Sequence, residues 1–265
     1  MTLSLLLVLT LAGWAGVDNL RLLGHNEVNR NHEMDCAIVG DRVFVACGFT
    51  QGVEEYDIAD PANPTRTWLS SGPNCWRVRP YGDTLLFAFC RREGVVLFDI
   101  RTSPPVRLGR YDPPGNREAL EGGALVGETL YCAAHQNGIY AIDVSNPAAP
   151  RKVAALSLAP DGAAWNVEAL DSFLFIANGR HGLAIAGIAG GLHLVSRLEL
   201  PGTCNDIVMM GDVATVSLGT AGLATVDVSD PYNPVLRDTI ATAGCAWGIG
   251  ISEGMVACGS WRLLE

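Results

Sequence analysis

Apolar residues along this chain come in short runs, and Gly-Asp and Asp-Pro pairs punctuate them. The first stretch sets the pattern: His32 to Val39 is apolar, Gly40-Asp41 turns the chain and Arg42 to Cys47 returns. Val53 to Ile58 follows, then the turn Asp60-Pro61-Ala62-Asn63-Pro64 and an outer strand near Arg66 to Leu69. A second stretch repeats the order with Trp76 to Arg79, Gly82-Asp83, Leu85 to Phe89, Val95 to Ile100, Pro104-Pro105 and Val106 to Arg110. Runs of this length between such turn signals predict antiparallel strands in a meander, and no segment sustains a helical period.

The pattern is periodic. GVEEYDIADPANP from Gly52 recurs as GVVLFDIRTSPP from Gly94, GIYAIDVSNPAAP from Gly138 and GLATVDVSDPYNP from Gly222, with a worn copy, GLAIAGIAGG, from Gly182. The opening glycines lie 42, 44, 44 and 40 residues apart. Four strands per period of about 42 residues predict blades of a β-propeller. The repeats run roughly over 26–70, 71–113, 114–158, 159–200 and 201–242, and a sixth begins at 243. The sixth stops after Ala246 to Ile251 and Met255 to Cys258, but NLRLLG, within residues 19–25, reads like an outer strand and would complete it. The expectation is six closed blades in one domain over 17–265, with a fragment of a longer propeller as the alternative. The Asp column Asp57, Asp99, Asp143 and Asp227 is expected to accept backbone N–H groups in the turn that follows it.

The phrase VDVSDPYNPV and its counterparts resemble the LVIVD-repeat family of β-propellers, over about residues 19–265. The resemblance implies a secreted or surface-anchored bacterial propeller without an assigned reaction. The fourth repeat has lost both the Asp and the Pro of the later turn, so a loosened blade is expected there.

Composition narrows the partners. The net charge of −10 and the lack of a Lys/Arg-rich run exclude a phosphate-backbone partner, so no nucleic acid is expected. Residues 1–16, MTLSLLLVLTLAGWAG, have an apolar centre too short for a comfortable span and a small-residue end. They read as a secretory signal cleaved near Ala15; without a Lys or Arg ahead of the apolar centre, a buried first strand is the alternative. A secreted, periplasmic or cell-surface monomer with no membrane span after signal removal follows.

Eight cysteines in an exported chain raise the question of disulfides. Cys75 and Cys90 flank the Gly82-Asp83 turn symmetrically, and Cys36 with Cys47 and Cys245 with Cys258 come within one residue of symmetry about theirs. Either these pairs bridge or the cysteines are small buried thiols. No C-x₂₋₄-C spacing supports a metal, and no cofactor is expected.

Catalytic strings such as GxSxG, HExxH and the P-loop are absent. In a propeller the repetitive turns lie on one face, so what varies collects on the other. At the entry to first strands this face holds His32, Glu33, Trp76, Arg77, Glu118, Trp165, Asn166, Asp206 and Trp247. The loops between second and third strands add Arg91, Arg92, His135 and His181. One innermost column reads Asp35, Arg77, Gly122, Asn166, Asp206 and Trp247, either a self-paired channel lining or a site for an ion or small polar ligand. His32-Glu33 is an acid–base candidate weakened because strand neighbours point to opposite faces. The expectation is an interaction or ligand-binding module for a protein, peptide or glycan. Two alternatives stand beside it: a hydrolase or lyase acting at the channel mouth, and a structural domain of a larger surface protein.

Overall fold

The computed structural model describes residues 33–48, 52–114, 119–158, 162–242, 244–252 and 255–261. The expected signal at 1–16, the strand at 19–25, His32 and Glu118 lie outside the described residues, as does the side chain of Glu33.

The chain divides into two compact units, Met1–Gly109 and Arg110–Glu265. The first holds a blade of β1 (Glu33–Val39), β2 (Arg42–Cys47), β3 (Val53–Asp57) and β4 (Thr65–Leu69). Its second blade is β5 (Arg77–Tyr81), β6 (Leu85–Phe89), β7 (Val95–Asp99) and β8 (Val106–Tyr111). In the second unit, blade three is β9 (Gly122–Val126), β10 (Thr129–Ala133), β11 (Ile139–Asp143) and β12 (Arg151–Leu156). Blade four is β13 (Asn166–Leu170), β14 (Phe173–Ala177), β15 (Leu183–Gly187) and β16 (His193–Leu198). Blade five is β17 (Asp206–Met210), β18 (Val213–Ser217), β19 (Leu223–Asp227) and β20 (Val235–Ile240). The last sheet has two strands, β21 (Cys245–Ser252) and β22 (Met255–Trp261). The protein is thus an all-β propeller, with five four-stranded antiparallel blades and a partial sixth sheet among the described residues. Among those residues no helix is long and apolar enough to cross a membrane.

Within each unit the first strands of successive blades are neighbours: β1 with β5, and β9, β13, β17 and β21 in series. First strands are therefore innermost, and outer strands are solvated, as in β20, all six of whose residues are exposed. Between blades the packing is apolar. Phe44, Val78, Leu86 and Val96 join blades one and two, Ile139, Val167, Leu174 and Ile176 join three and four, and Phe175, Ile185, Ile207 and Val216 join four and five. Burying one such side chain stabilises by about 2 kcal/mol.

The recurring glycine has a physical cause. Gly94, Gly138, Gly182 and Gly222 take φ of 90°, 79°, 67° and 88°. At the last three an added Cβ would lie 2.1, 2.2 and 2.1 Å from the carbonyl oxygen of Leu156, Leu198 or Ile240 on the blade's own outer strand. A side chain there meets both the wrong backbone region and a wall.

The Asp column behaves as the turn chemistry requires. Asp57, Asp99, Asp143 and Asp227 each accept the backbone N–H two residues on, at 2.8, 3.0, 3.0 and 2.9 Å. Blade four manages without it. Its three strand pairs keep full register, with the same bulge between third and fourth strands as blades one, three and five. Gly187 stands where Asp would, and its missing Cβ leaves room for the His193 ring, which would lie 2.6 Å from such an atom. The expected loosening is not seen; the turn is rebuilt around Gly190 and Gly191 at φ 74° and 112°.

Candidate functional site

The cysteines resolve by register. Cys75 and Cys90 form a disulfide. In the β1–β2 hairpin Cys36 faces Val45, and a bulge between Glu33 and Asp35 sets Cys47 opposite Glu33. Cys36 and Cys47 therefore do not pair, contrary to the symmetry argument. Cys245 and Cys258 fail for the same kind of reason. Their hairpin closes at Ser252 and Met255, so Cys258 faces Ile249 and Cys245 faces Trp261. Cys132 and Cys204 are buried thiols whose pKa burial pushes well up, with the Asp206 carboxylate adding to the effect at Cys204. Among the described residues no group of three or more His, Cys, Asp or Glu is placed to hold a metal ion.

The innermost column is a set of fasteners between blades. Asp35 accepts the Val78 N–H of the next blade at 3.0 Å, and Asp206 accepts that of Ile249 at 3.1 Å. Asn166 bridges blades four and five, donating from Nδ2 to Asp206 Oδ1 at 2.6 Å and to the Ile207 carbonyl at 3.3 Å. The pairing of Val78 and Ile249 in this device puts Gly248, not Trp247, in the column with Arg77. A bulge between Ala246 and Gly248 causes the shift. Trp247 instead joins Trp76, Trp165 and Asn205, one residue ahead of the column. Arg77, Asp35 and His181 are partly exposed, and Arg92 is exposed.

In blades three, four and five the loop between second and third strands is tied to the entry of the next sheet. His135 exchanges both backbone hydrogen bonds with Ala164, Gly179 does so with Cys204, and Gly219 accepts from Ala246. This tie sets the aromatic residues. In the first unit the Arg91 guanidinium carbon lies 3.6 Å from the Trp76 ring centroid. In the second unit the His135 ring meets Trp165 at 4.7 Å, and Trp165 meets Trp247 at 5.6 Å, both nearly edge to face. Three candidates from three different sheets thus form one chain of contacts, with Trp247 36% exposed. Beneath lie Asn166, Asn205, Asp206 and Ser217, all buried. Ser217 donates to the Trp247 carbonyl at 2.6 Å, which holds the segment carrying that ring.

Three features were outside the sequence reading. Asn178 is fully buried, and among the described residues neither its Oδ1 nor its Nδ2 has a hydrogen-bond partner; Asn166 Oδ1 also lacks one there. The signal for Asn178 was available, because it follows the second strand where Cys90, Ala134 and Leu218 stand in other repeats. Adjacent Glu54 and Glu55 are both fully buried. Glu55 takes Arg42 at 3.0 Å, Thr67 at 3.0 Å and Ser103 at 2.7 Å, linking blades one and two, while Glu54 takes Arg66 at 2.9 Å and Tyr56 at 2.5 Å. Burial and that bond to Glu54 raise the Tyr56 pKa. Lastly, a cavity of about 260 Å³ opens in the first unit beside Trp68, Ser70, Pro73, Phe98 and Arg107.

Residues 124–155, 161–189 and 201–242 match the LVIVD repeat. This β-propeller carries LVIVD repeats at three places. The matched stretches are blades three, four and five, so the family pattern survives the altered turn of blade four. Among solved structures, the chain is similar to the periplasmic gluconolactonase of Pseudomonas aeruginosa at 15% identity and TM-score 0.67, over 86% of this chain and 73% of that one. A chain of a mitotic checkpoint complex matches at 14% identity and TM-score 0.72, over 90% and 74%. BamB of Moraxella catarrhalis matches at 13% and TM-score 0.60, over 85% and 66%. At these identities the likeness is one of fold. Comparison with curated protein sequences gives no match.

Proposed function

We propose that this LVIVD propeller is an exported module that binds a protein or peptide, with glycans as the competing ligand class, on the loop face of blades three to six. The observation that carries this reading is the contact chain His135–Trp165–Trp247 above the buried Asn166–Asp206 hydrogen bond. Rings that only wedge blades apart would be buried; Trp247 keeps 36% of its surface in solvent. Partly exposed aromatic residues over a fixed polar floor are what interaction sites use. The opposite face repeats one Asp turn from blade to blade, which suits structure rather than recognition. On this reading His181 lies at the periphery of the site, and Trp76, Arg77 and Arg91 take the equivalent loop positions within the first unit.

The signal-like start and the Cys75–Cys90 disulfide support export, since such bonds persist in oxidising compartments. On the same reading β21 and β22 belong to a sixth blade and the protein acts as a monomer.

A thermal-shift screen of peptides, glycans and divalent ions tests the site. A ligand should raise Tm in the wild type and in Asp227→Ala, and fail to do so in Trp165→Leu and Trp247→Leu. A shift lost in Asp227→Ala alone would move binding to the opposite face and overturn the assignment. Turnover of a bound glycan would replace the binding module with a hydrolase or lyase.

A further inference from the structure

The loop-face tryptophan occurs in two settings that share one backbone frame. In blade two the Trp76 N–H donates to the Phe89 carbonyl, Cys90 N–H closes the next loop on Gly94, and Arg91 has φ 49°. In blade four Trp165 N–H donates to Ala177, Asn178 N–H closes on Gly182, and the residue in Arg91's place is Gly179, at φ 57°. Blade two therefore covers its tryptophan with its own guanidinium, at 3.6 Å. Blade four carries no side chain there, and among the described residues no cation of the chain lies over Trp165. A Cβ added at Gly179 would sit 3.5 Å from Trp165 Nε1, so the frame aims that position at the ring.

Two further observations define what would fit. A carboxylate underlies the site: Asn166, the residue after Trp165, donates to Asp206, which is 2% exposed, in a protein of net charge −10. Two buried acceptors on residues adjacent in sequence to Trp165 and Gly179 also lack donors among the described residues. Among the described residues, Asn166 Oδ1, on the residue following Trp165, and Asn178 Oδ1, on the residue preceding Gly179, have no partner. A planar, positively charged group suits the open ring beside this polar floor, and a guanidinium stacks on an indole as an ammonium does not.

We propose that Trp165, flanked by His135 and Trp247, receives the guanidinium of an arginine side chain presented by a partner peptide, as Trp76 receives Arg91 within the chain. The inference rests on the loop-face site proposed above and names its ligand. Blade two is then a self-occupied copy of the site and blade four the open one.

The test is calorimetric titration of the intact protein with a short glycine–arginine peptide, its lysine counterpart and its citrulline counterpart. Citrulline keeps the shape and removes the charge. The arginine peptide should bind best, with the citrulline form weaker by roughly three- to thirtyfold, the range of a cation–π contact. Gly179→Arg should abolish binding by supplying the missing guanidinium, and Gly179→Ala should retain it. The Arg variant is expected to fold, because Arg91 and His135 already occupy this position at φ 49°. Trp165→Leu should also lose binding, and Trp76→Leu should not. Equal binding of the citrulline peptide, stronger binding of the lysine peptide, or a Gly179→Arg protein that binds as well as wild type would overturn the proposal. If a neutral glycan or an acidic peptide binds and is lost in Trp165→Leu while the arginine peptide does not bind, the loop-face site stands and the arginine assignment falls. If the arginine peptide binds regardless of Trp165→Leu and Trp247→Leu, both fall.

Discussion

Gly222→Ala, compared with Gly211→Ala in the same blade, separates the two reasons for a glycine. Gly211 has φ 55° and open space around its missing Cβ, so alanine there meets only the left-handed backbone penalty of about 1–2 kcal/mol. Reduced freedom of the unfolded chain offsets about 0.4–1 kcal/mol of that. The net loss should be about 1 kcal/mol or less. Gly222, at φ 88°, meets the same penalty and also a Cβ 2.1 Å from the Ile240 oxygen and 2.9 Å from Ala241 Cα. Both are backbone atoms, so relief requires β20 to move away from β19 by more than 1 Å, judged against an ordinary contact of 3.4 Å or more. Overpacking of that kind adds about 1–3 kcal/mol. The expected total is about 3 kcal/mol, a fall in Tm of roughly 6–12 °C, against a few degrees at Gly211. Thermal unfolding followed by circular dichroism gives both numbers. Equal falls for the two variants would show that the outer-strand carbonyl imposes nothing, and that the repeat glycine is there for φ alone.

Other consequences follow from the fasteners. Glu55→Leu would leave Arg42, Thr67 and Ser103 without their common acceptor; because Arg42 keeps 23% of its side chain in solvent, the loss should fall below that of a fully buried pair, at about 2–3 kcal/mol in a urea titration. Glu55→Gln, which keeps the hydroxyl partners, should lose about half as much. Replacing Cys75 and Cys90 together by alanine should cost about 3 kcal/mol, since their bond closes a loop of 15 residues, and reductant should lower the wild-type Tm but not that of the variant. Hydrogen bonds from Arg101 hold the Asp99 carboxyl down at about 2; Ser145 and then Arg151 lower Asp143, and Arg237 and then Ser229 lower Asp227. Depressed carboxylates stabilise the fold above their ordinary pKa near 4 and lose that contribution as pH falls through the folded value. The Tm should therefore drop between about pH 4 and pH 2, and drop less in the Asp99→Asn, Asp143→Asn, Asp227→Asn triple variant.

The repeat made the fold legible, because each blade solves one local problem with the same residues: glycine where a carbonyl approaches, aspartate where a turn leaves N–H groups open. Strand ends such as Arg42–Cys47 and Leu85–Phe89 could be read from apolar runs alone. What could not be read depends on contacts between repeats or on single-residue bulges. Val-Glu-Glu-Tyr-Asp looked like a half-polar strand, yet Glu54 and Glu55 are fully buried because Arg66 and Arg42 wait on the neighbouring strands. The closing turns of two hairpins set Cys36 opposite Val45 and Cys258 opposite Ile249, which undid two cysteine pairings, and a bulge beside Trp247 moved that residue by one position. The recurrence of Trp76, Trp165 and Trp247 was visible, but not that Trp165 reaches Trp247 past blade five, or that Gly179 stands where Arg91 does. Only aligning the loops by their hydrogen bonds brings that out.

The central claim is that recognition takes place at Trp165 and Trp247, and their indole N–H resonances report on it directly. In a two-dimensional spectrum of nitrogen-15-labelled protein titrated with the glycine–arginine peptide, these two signals should move together and saturate at one midpoint, with Trp68 still. Movement of Trp68 alone would place the ligand in the cavity of the first unit and contradict the account.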